Sequence, residues 1–174
     1  MSKTIKKISC IDIGSNAIKY RQYRLTKNDS IELDTFKRIP LRLGADAFSL
    51  GKMSDKTYED FKWTLKKLKK HAMKKNSELL GIFATSAMRT FSNQSQILKK
   101  IKKDLNLKID VLSGREEASL LRYFEYKEFK KTQTLLVDVG GGSTEICRIS
   151  ENEETIESFQ LGGVRILNLS LIHI

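Results

Sequence analysis

Apolar and polar residues alternate through residues 5–13 (IKKISCIDI), and the run turns continuously apolar towards its end, as suits a strand buried in a sheet. A Gly14-Ser15-Asn16 turn follows, then a second strand over 17–25 (AIKYRQYRL) and a third over 31–39, beyond Asn28 and Asp29. Pro40 and Gly44 place a loop next. Between Ser54 and Asn76 the apolar residues Tyr58, Phe61, Leu65, Leu68 and Ala72 recur at spacings of three and four, the stripe of an amphipathic helix capped by Ser54. GIFATSA (81–87) reads as a strand and Asn93 as the cap of a helix over 94–104. KIDVLS (108–113) reads as a strand, and Arg115 to Phe129 as a helix.

After Lys130 and Lys131 the pattern starts again, with strands at 134–140, 144–150 and 154–161. The two starts can be laid over each other: Ile11-Asp12-Ile13-Gly14-Ser15-Asn16 matches Val137-Asp138-Val139-Gly140-Gly141-Gly142. Each is an apolar-Asp-apolar-Gly strand end flowing into a tight turn and another strand. The repeat predicts two related α/β lobes that open with the same β-hairpin. The first lobe occupies residues 1–131. Residues 132–168 then read as the start of a second, truncated lobe, because by the repeat helices and two more strands should follow. The last six residues, 169–174, read as a non-native tail derived from a sequencing adapter, with Asn168 the last authentic residue.

Composition narrows the class. One Pro and ten Gly, with 40% hydrophobic residues, exclude collagen-like, mucin-like and disordered chains. No run approaches about 18 apolar residues, and no apolar stretch of signal-peptide length opens the chain, so a cytoplasmic protein is expected. Cys10 and Cys147 fit no metal-binding spacing and read as small buried hydrophobes. His71 and His173 are the only histidines, and His71 is expected on the surface of the lysine-rich helix. Carboxylates, backbone amides and basic side chains are left to carry any chemistry. The net charge of +11 is concentrated: seven lysines lie between Lys62 and Lys75, and Lys99, Lys100, Lys102 and Lys103 form a second cluster. These either attract an anionic partner or keep helix faces solvated. No aromatic-basic module, zinc finger or helix-turn-helix supports a specific nucleic-acid partner.

The hairpin ends carry the chemistry. Glycine lets the backbone approach a ligand closely, and successive N–H groups in such a turn form an anion-binding nest to which Ser and Asn add donors. An Asp at the strand end is placed to hold a divalent cation against the same phosphate. Two such hairpins facing each other would grip a phosphate chain from both sides. The P-loop pattern is absent, so this is not a Walker-type site.

Five blocks in order give the chain a family resemblance: Asp12-Ile13-Gly14-Ser15-Asn16; Ala84-Thr85-Ser86-Ala87-Met88-Arg89 with Asn93; Ser113-Gly114-Arg115-Glu116-Glu117-Ala118; Asp138 to Glu145; and Gly162-Gly163-Val164-Arg165. With these it resembles the exopolyphosphatase/guanosine pentaphosphate phosphatase (Ppx/GppA) family of the actin-like ATPase, ribonuclease H-like fold. Gly163 departs from the threonine or alanine more usual there. The resemblance implies two lobes of mixed sheet plus helices, and a metal-dependent phosphoanhydride hydrolase that removes terminal phosphate from inorganic polyphosphate or guanosine pentaphosphate.

It also implies roles. Glu117 looks like the base that positions the attacking water, with adjacent Glu116 its rival, and Arg89 offers a guanidinium for a phosphate oxygen. Asp12, Asp138 and Glu145 are the candidate ligands of Mg²⁺ or another divalent cation. Gly14, Ser15, Asn16, Gly140, Gly141, Gly142 and Ser143 are the candidate phosphate donors. No membrane partner is expected, and a homodimer is allowed for the full-length protein. Two alternatives remain open: a kinase or ATPase of the same fold, and a non-catalytic sensor that binds a polyanion. The fragment as written is expected to be inactive, because its second lobe stops after three strands.

Overall fold

The computed structural model describes residues 6–26, 30–123, 133–150 and 154–172. Its strands form two sheets. β1 (Lys7–Ile13), β2 (Ile18–Leu25) and β3 (Ile31–Ile39) make an antiparallel meander. β4 (Ser77–Ala84) then pairs in parallel with β1, and β5 (Asp110–Val111) with β4, giving the order β3-β2-β1-β4-β5. The second sheet is the antiparallel meander β6 (Thr134–Val139), β7 (Thr144–Ile149) and β8 (Glu154–Phe159).

Period-two burial explains the first sheet. Ile11 and Ile13 of β1 and Ile18, Tyr20 and Gln22 of β2 turn to the covered face, while Asp12 and Lys19 turn to the other. The core lies between that covered face and the helices α1 (Leu43–Ser49), α2 (Asp55–Lys74), α3 (Ser86–Thr90) and α4 (Gln94–Leu105). The predicted stripe of α2 is its buried face, joined by Thr64, and the Ser54 hydroxyl caps it by accepting from the Thr57 N–H at 3.3 Å. Asn106 closes α4 in the left-handed conformation at φ 48°.

Several expectations need correction. The loop after Pro40 contains α1, whose seven residues are too few to display a helical period. The fourth strand starts at Ser77 rather than Gly81, and Thr85 to Ala87 have left it for the turn into α3. A register shift against β1 skips Leu80, which is exposed, and this extra residue breaks the alternation that would reveal the strand. The strand expected over 108–113 is only two residues long. Asn93 does not cap α4 with its side chain. Its amide instead bridges the Met53 backbone, accepting from the N–H at 3.0 Å and donating to the carbonyl at 2.9 Å.

The helix from Arg115 is α5 (Gly114–Ser119) followed by a 3₁₀ turn over Leu120–Tyr123, and the rest of its expected span lies outside the described residues. The turn at Asn28-Asp29 and the restart at Lys130-Lys131 also lie outside them. α6 (Gly163–Ile172) was not foreseen. His71 is less exposed than expected: its ring sits half-buried, edge-on to Tyr20 at 5.4 Å. Cys147 is buried as expected and Cys10 half-buried, both as free thiols. Among the described residues no helix is long and apolar enough to cross a membrane.

Candidate functional site

The two hairpin turns face each other across a cleft of about 310 Å³. They close in the same way. The Gly14 N–H donates to the Ala17 carbonyl at 3.1 Å, and the Gly140 N–H to the Ser143 carbonyl at 2.9 Å. Residues 14–16 line one wall and residues 140–143 the other, so all seven candidate phosphate donors are brought together. Asp12, Asp138 and Glu117 line the cleft with them.

The second turn is held by α6. The N–H groups of Val164 and Arg165 both donate to the Gly141 carbonyl, at 2.8 and 3.0 Å. The Arg165 guanidinium then donates to the Gly142 carbonyl at 2.8 Å and reaches the hydroxyls of Ser86 and Thr90 at 3.4 and 3.3 Å. It also stacks 4.3 Å over the Phe48 ring. Arg165 thus ties the second turn to α1 and α3, and the Gly44 N–H donating to the Ser15 carbonyl at 2.7 Å ties the first turn to α1.

The adjacent glutamates part company. Ser113 opens α5 with a capping box: its hydroxyl accepts from the Glu116 N–H at 3.2 Å, and its own N–H donates to the Glu116 carboxylate at 2.7 Å. These bonds hold the Glu116 carboxyl below its usual pKa, on the solvent side. Glu117, one residue on, points into the cleft. Burial pushes its pKa up, Glu145 and Asp12 push the same way, and Arg89 opposes them. Arg89 donates to the Glu117 carboxylate at 2.9 Å and to the Leu112 carbonyl at 2.6 Å. It is thereby a clamp on Glu117 and does not line the cleft.

The three candidate metal ligands are not gathered into one cluster. Asp12 is ion-paired with Lys19 at 3.2 Å, while Glu145, only 1% exposed, accepts from the Ser158 hydroxyl at 2.9 Å. Among the described residues no group of three or more His, Cys, Asp or Glu side chains is arranged to hold a metal unaided. Asp12 and Asp138, two of the cleft carboxylates, nonetheless suit Mg²⁺, which keeps water and takes one or two carboxylates plus substrate oxygens.

Lys19, Arg38, Thr85 and Ser86 also line the cleft and carry no role in the sequence reading. For Lys19 the signal was there, since it is a charged residue on the face of β2 opposite buried Ile18 and Tyr20; Arg38 stands directly across from it on the exposed strand β3. Arg165 was visible as part of a motif, but nothing local showed what it holds.

Comparison with known proteins gives concordant matches. The model of the Ppx/GppA phosphatase family matches residues 32–172. Exopolyphosphatase 1 of Mycobacterium tuberculosis is 25% identical over 163 residues, 92% of this chain and 47% of that protein. A bifunctional 3-dehydroquinate synthase/phosphatase of Fusobacterium nucleatum is 31% identical over 170 residues, 90% of this chain and 25% of that protein. Among solved structures, an exopolyphosphatase from Cytophaga hutchinsonii superimposes with a TM-score of 0.82 at 24% identity, covering 94% of this chain and 53% of that one. The Aquifex aeolicus Ppx/GppA family member gives 0.76 at 22%, with 97% and 54% covered. The chain therefore shares the fold of these two structures. The chain spans about half the length of the exopolyphosphatases it matches.

Proposed function

This chain belongs to the Ppx/GppA phosphatase family, and on that premise we propose that it supplies the phosphate-gripping cleft of an exopolyphosphatase-type hydrolase. The substrate is inorganic polyphosphate, with guanosine pentaphosphate the second candidate, and the product is the released terminal phosphate. The observation that carries this reading is the placement of Glu117, a half-buried carboxylate of raised pKa, in one cleft with two facing glycine turns.

Terminal-phosphate hydrolysis needs a positioned water, neutralised phosphoryl oxygens and in-line geometry. The amides and hydroxyls of residues 14–16 and 140–143 bind the phosphate chain from its two sides. Glu117 accepts a proton from the attacking water as the new O–P bond forms. The bridging P–O bond breaks, and its electron pair leaves on the shortened chain. A raised pKa makes Glu117 a better base near neutral pH than an ordinary carboxylate. Arg89 acts through Glu117, fixing its carboxylate, and Lys19 and Arg38 add positive charge along the same wall. Asp12 and Asp138 would hold the divalent cation, with Glu145 behind them, and the ion would neutralise charge on the phosphoryl oxygens. By this reading residues 1–131 form the first lobe and 132–168 open the second.

The test is phosphate release from polyphosphate, with ATP in parallel, by the protein that contains this chain. Glu117→Gln should lower the polyphosphate rate by about 10²–10⁴-fold, whereas Glu116→Gln, which keeps the cap, should change it less than about threefold. Equal losses from the two variants would refute the assignment of the base. Phosphate release from ATP as fast as from polyphosphate would favour the ATPase alternative.

A further inference from the structure

A second concavity lies on the far side of β3 from the cleft. Lys37 and Arg38 are neighbours on that strand and point to opposite faces, Arg38 into the cleft and Lys37 into a groove of about 360 Å³ beneath α2. The floor of the groove is apolar, formed by Ile39 and Leu68. Its rim is cationic: Lys37, Lys67, Lys70 and Lys74 line it, with no Asp or Glu among the lining residues. None of these four lysines takes part in an ion pair among the described residues.

Two rings complete it. Trp63 is 57% exposed, with the Lys67 Nζ 3.3 Å from its ring centroid. His71 lines the wall, its Nε2 buried and, among the described residues, without a hydrogen-bond partner. Burial and the nearby charges of Lys37 and Lys75 lower its pKa, which favours a neutral imidazole.

We propose that this groove binds a nucleotide, its base against the Trp63 ring and the apolar floor and its phosphate among the four lysines. A merely solvated helix face accounts for lysines directed at water, but not for four of them around an apolar hollow. A bare phosphate or polyphosphate would satisfy the lysines and leave the floor and the indole unused. An aromatic base uses both, since it packs on the apolar floor and against the exposed indole. The volume is in the range of small-ligand pockets, about 300–1,000 Å³. The site is independent of the hydrolase reading, because it shares no residue with the cleft.

Trp63 is the single tryptophan of the chain, so its fluorescence reports this groove and not the cleft. The 174-residue chain is titrated with AMP, with ribose 5-phosphate, which lacks the base, and with tripolyphosphate. AMP should quench Trp63 saturably with a midpoint below about 1 mM, and the other two should bind at least about tenfold more weakly. Lys70→Glu/Lys74→Glu should weaken AMP at least about tenfold, while Lys99→Glu/Lys103→Glu on α4, of equal charge change, should leave it within about twofold. Thermal melts of both variants establish that they are folded. Absence of saturable quenching up to about 10 mM AMP would overturn the proposal. So would tripolyphosphate binding as tightly as AMP, which would make this a polyanion site, or equal losses from the two charge reversals, which would reduce it to net charge.

Discussion

The β1–β2 and β6–β7 hairpins share one turn and differ in what stands opposite their aspartates. In the first, Asp12 pairs across the strands with Lys19 and is neutralised by it at 3.2 Å. In the second, Asp138 stands across from Glu145. Opposite charges in that relation stabilise a sheet and like charges destabilise it, so the second hairpin keeps two carboxylates where the first keeps an ion pair. Their settings differ as well. β1 has paired strands on both sides and helices over its buried face, whereas Leu135, Val137 and Val139 of β6 are 62%, 52% and 69% exposed. The first turn is fixed by its sheet. The second depends on α6 and Arg165 and carries a surplus of negative charge, which costs the sheet stability and, on the proposed function, would serve a cation.

The largest effect should come from crowding the second turn. A Cβ on Gly162 would lie 2.5 Å from the Gly142 nitrogen and 2.6 Å from two backbone carbons of the same turn, none of which is a flexible side-chain tip. On Gly14 the nearest atom would be the Ala17 carbonyl oxygen at 3.3 Å. Gly162→Ala should therefore cost roughly 2–4 kcal/mol and at least about 10²-fold in phosphate release, since misplacing reacting groups by about 1 Å has that effect. Gly14→Ala should cost under about 1 kcal/mol and less than about tenfold in rate. Melts and polyphosphate assays on both variants check this. Equal effects would mean that the two turns are held alike.

Charge gives a sharper and smaller test. Glu145→Gln should raise the Mg²⁺ concentration for half-maximal activity at least about tenfold, because it removes one of the two facing carboxylates. Lys19→Gln releases Asp12 from its ion pair and should leave that concentration unchanged or lower it by up to about threefold. If both variants needed more Mg²⁺, the contrast between the hairpins would have no bearing on the metal.

Much of this contrast was legible in the sequence. The repeat placed both turns, and the equivalence of Asp12 and Asp138 is an observed register, because it rests on local glycine and strand chemistry. The stripe of α2 and its Ser54 cap were readable for the same reason. The S-x-x-E spacing of Ser113 and Glu116 was the signal that a helix cap would bind Glu116 and leave Glu117 free, and it went unused. Whatever depends on distant partners was not readable. Arg89 reads as a free guanidinium until the Leu112 carbonyl and Glu117 are seen beside it. α1 and α6 escaped because one is too short for periodicity and the other, from Gly163, runs into residues that read as a non-native tail.

The smallest effect lies where the two hairpins act on the same group. Glu117 is raised in pKa first by burial, then by Glu145 from the second hairpin, and by Asp12 from the first, against the opposing pull of Arg89. In the window between the ordinary carboxylate pKa and the raised one, the folded chain binds more protons here than the unfolded chain. Stability therefore falls as pH rises through that window and stays lower above it. Glu117→Gln removes the dependence. At neutral pH, without divalent cation, the variant should melt roughly 2–4 °C higher than the parent, about 1 kcal/mol for a chain of this size. The gap should close as pH is lowered to the ordinary carboxylate range, where Glu117 is protonated in both states. Glu145 precedes Asp12 among the influences on Glu117, so Glu145→Gln should recover more of the gain than Asp12→Asn. Melting curves from neutral to acid pH on the three variants decide the matter. A Glu117→Gln protein less stable than the parent at neutral pH would mean that the Arg89 ion pair outweighs burial and that Glu117 sits in the cleft without strain.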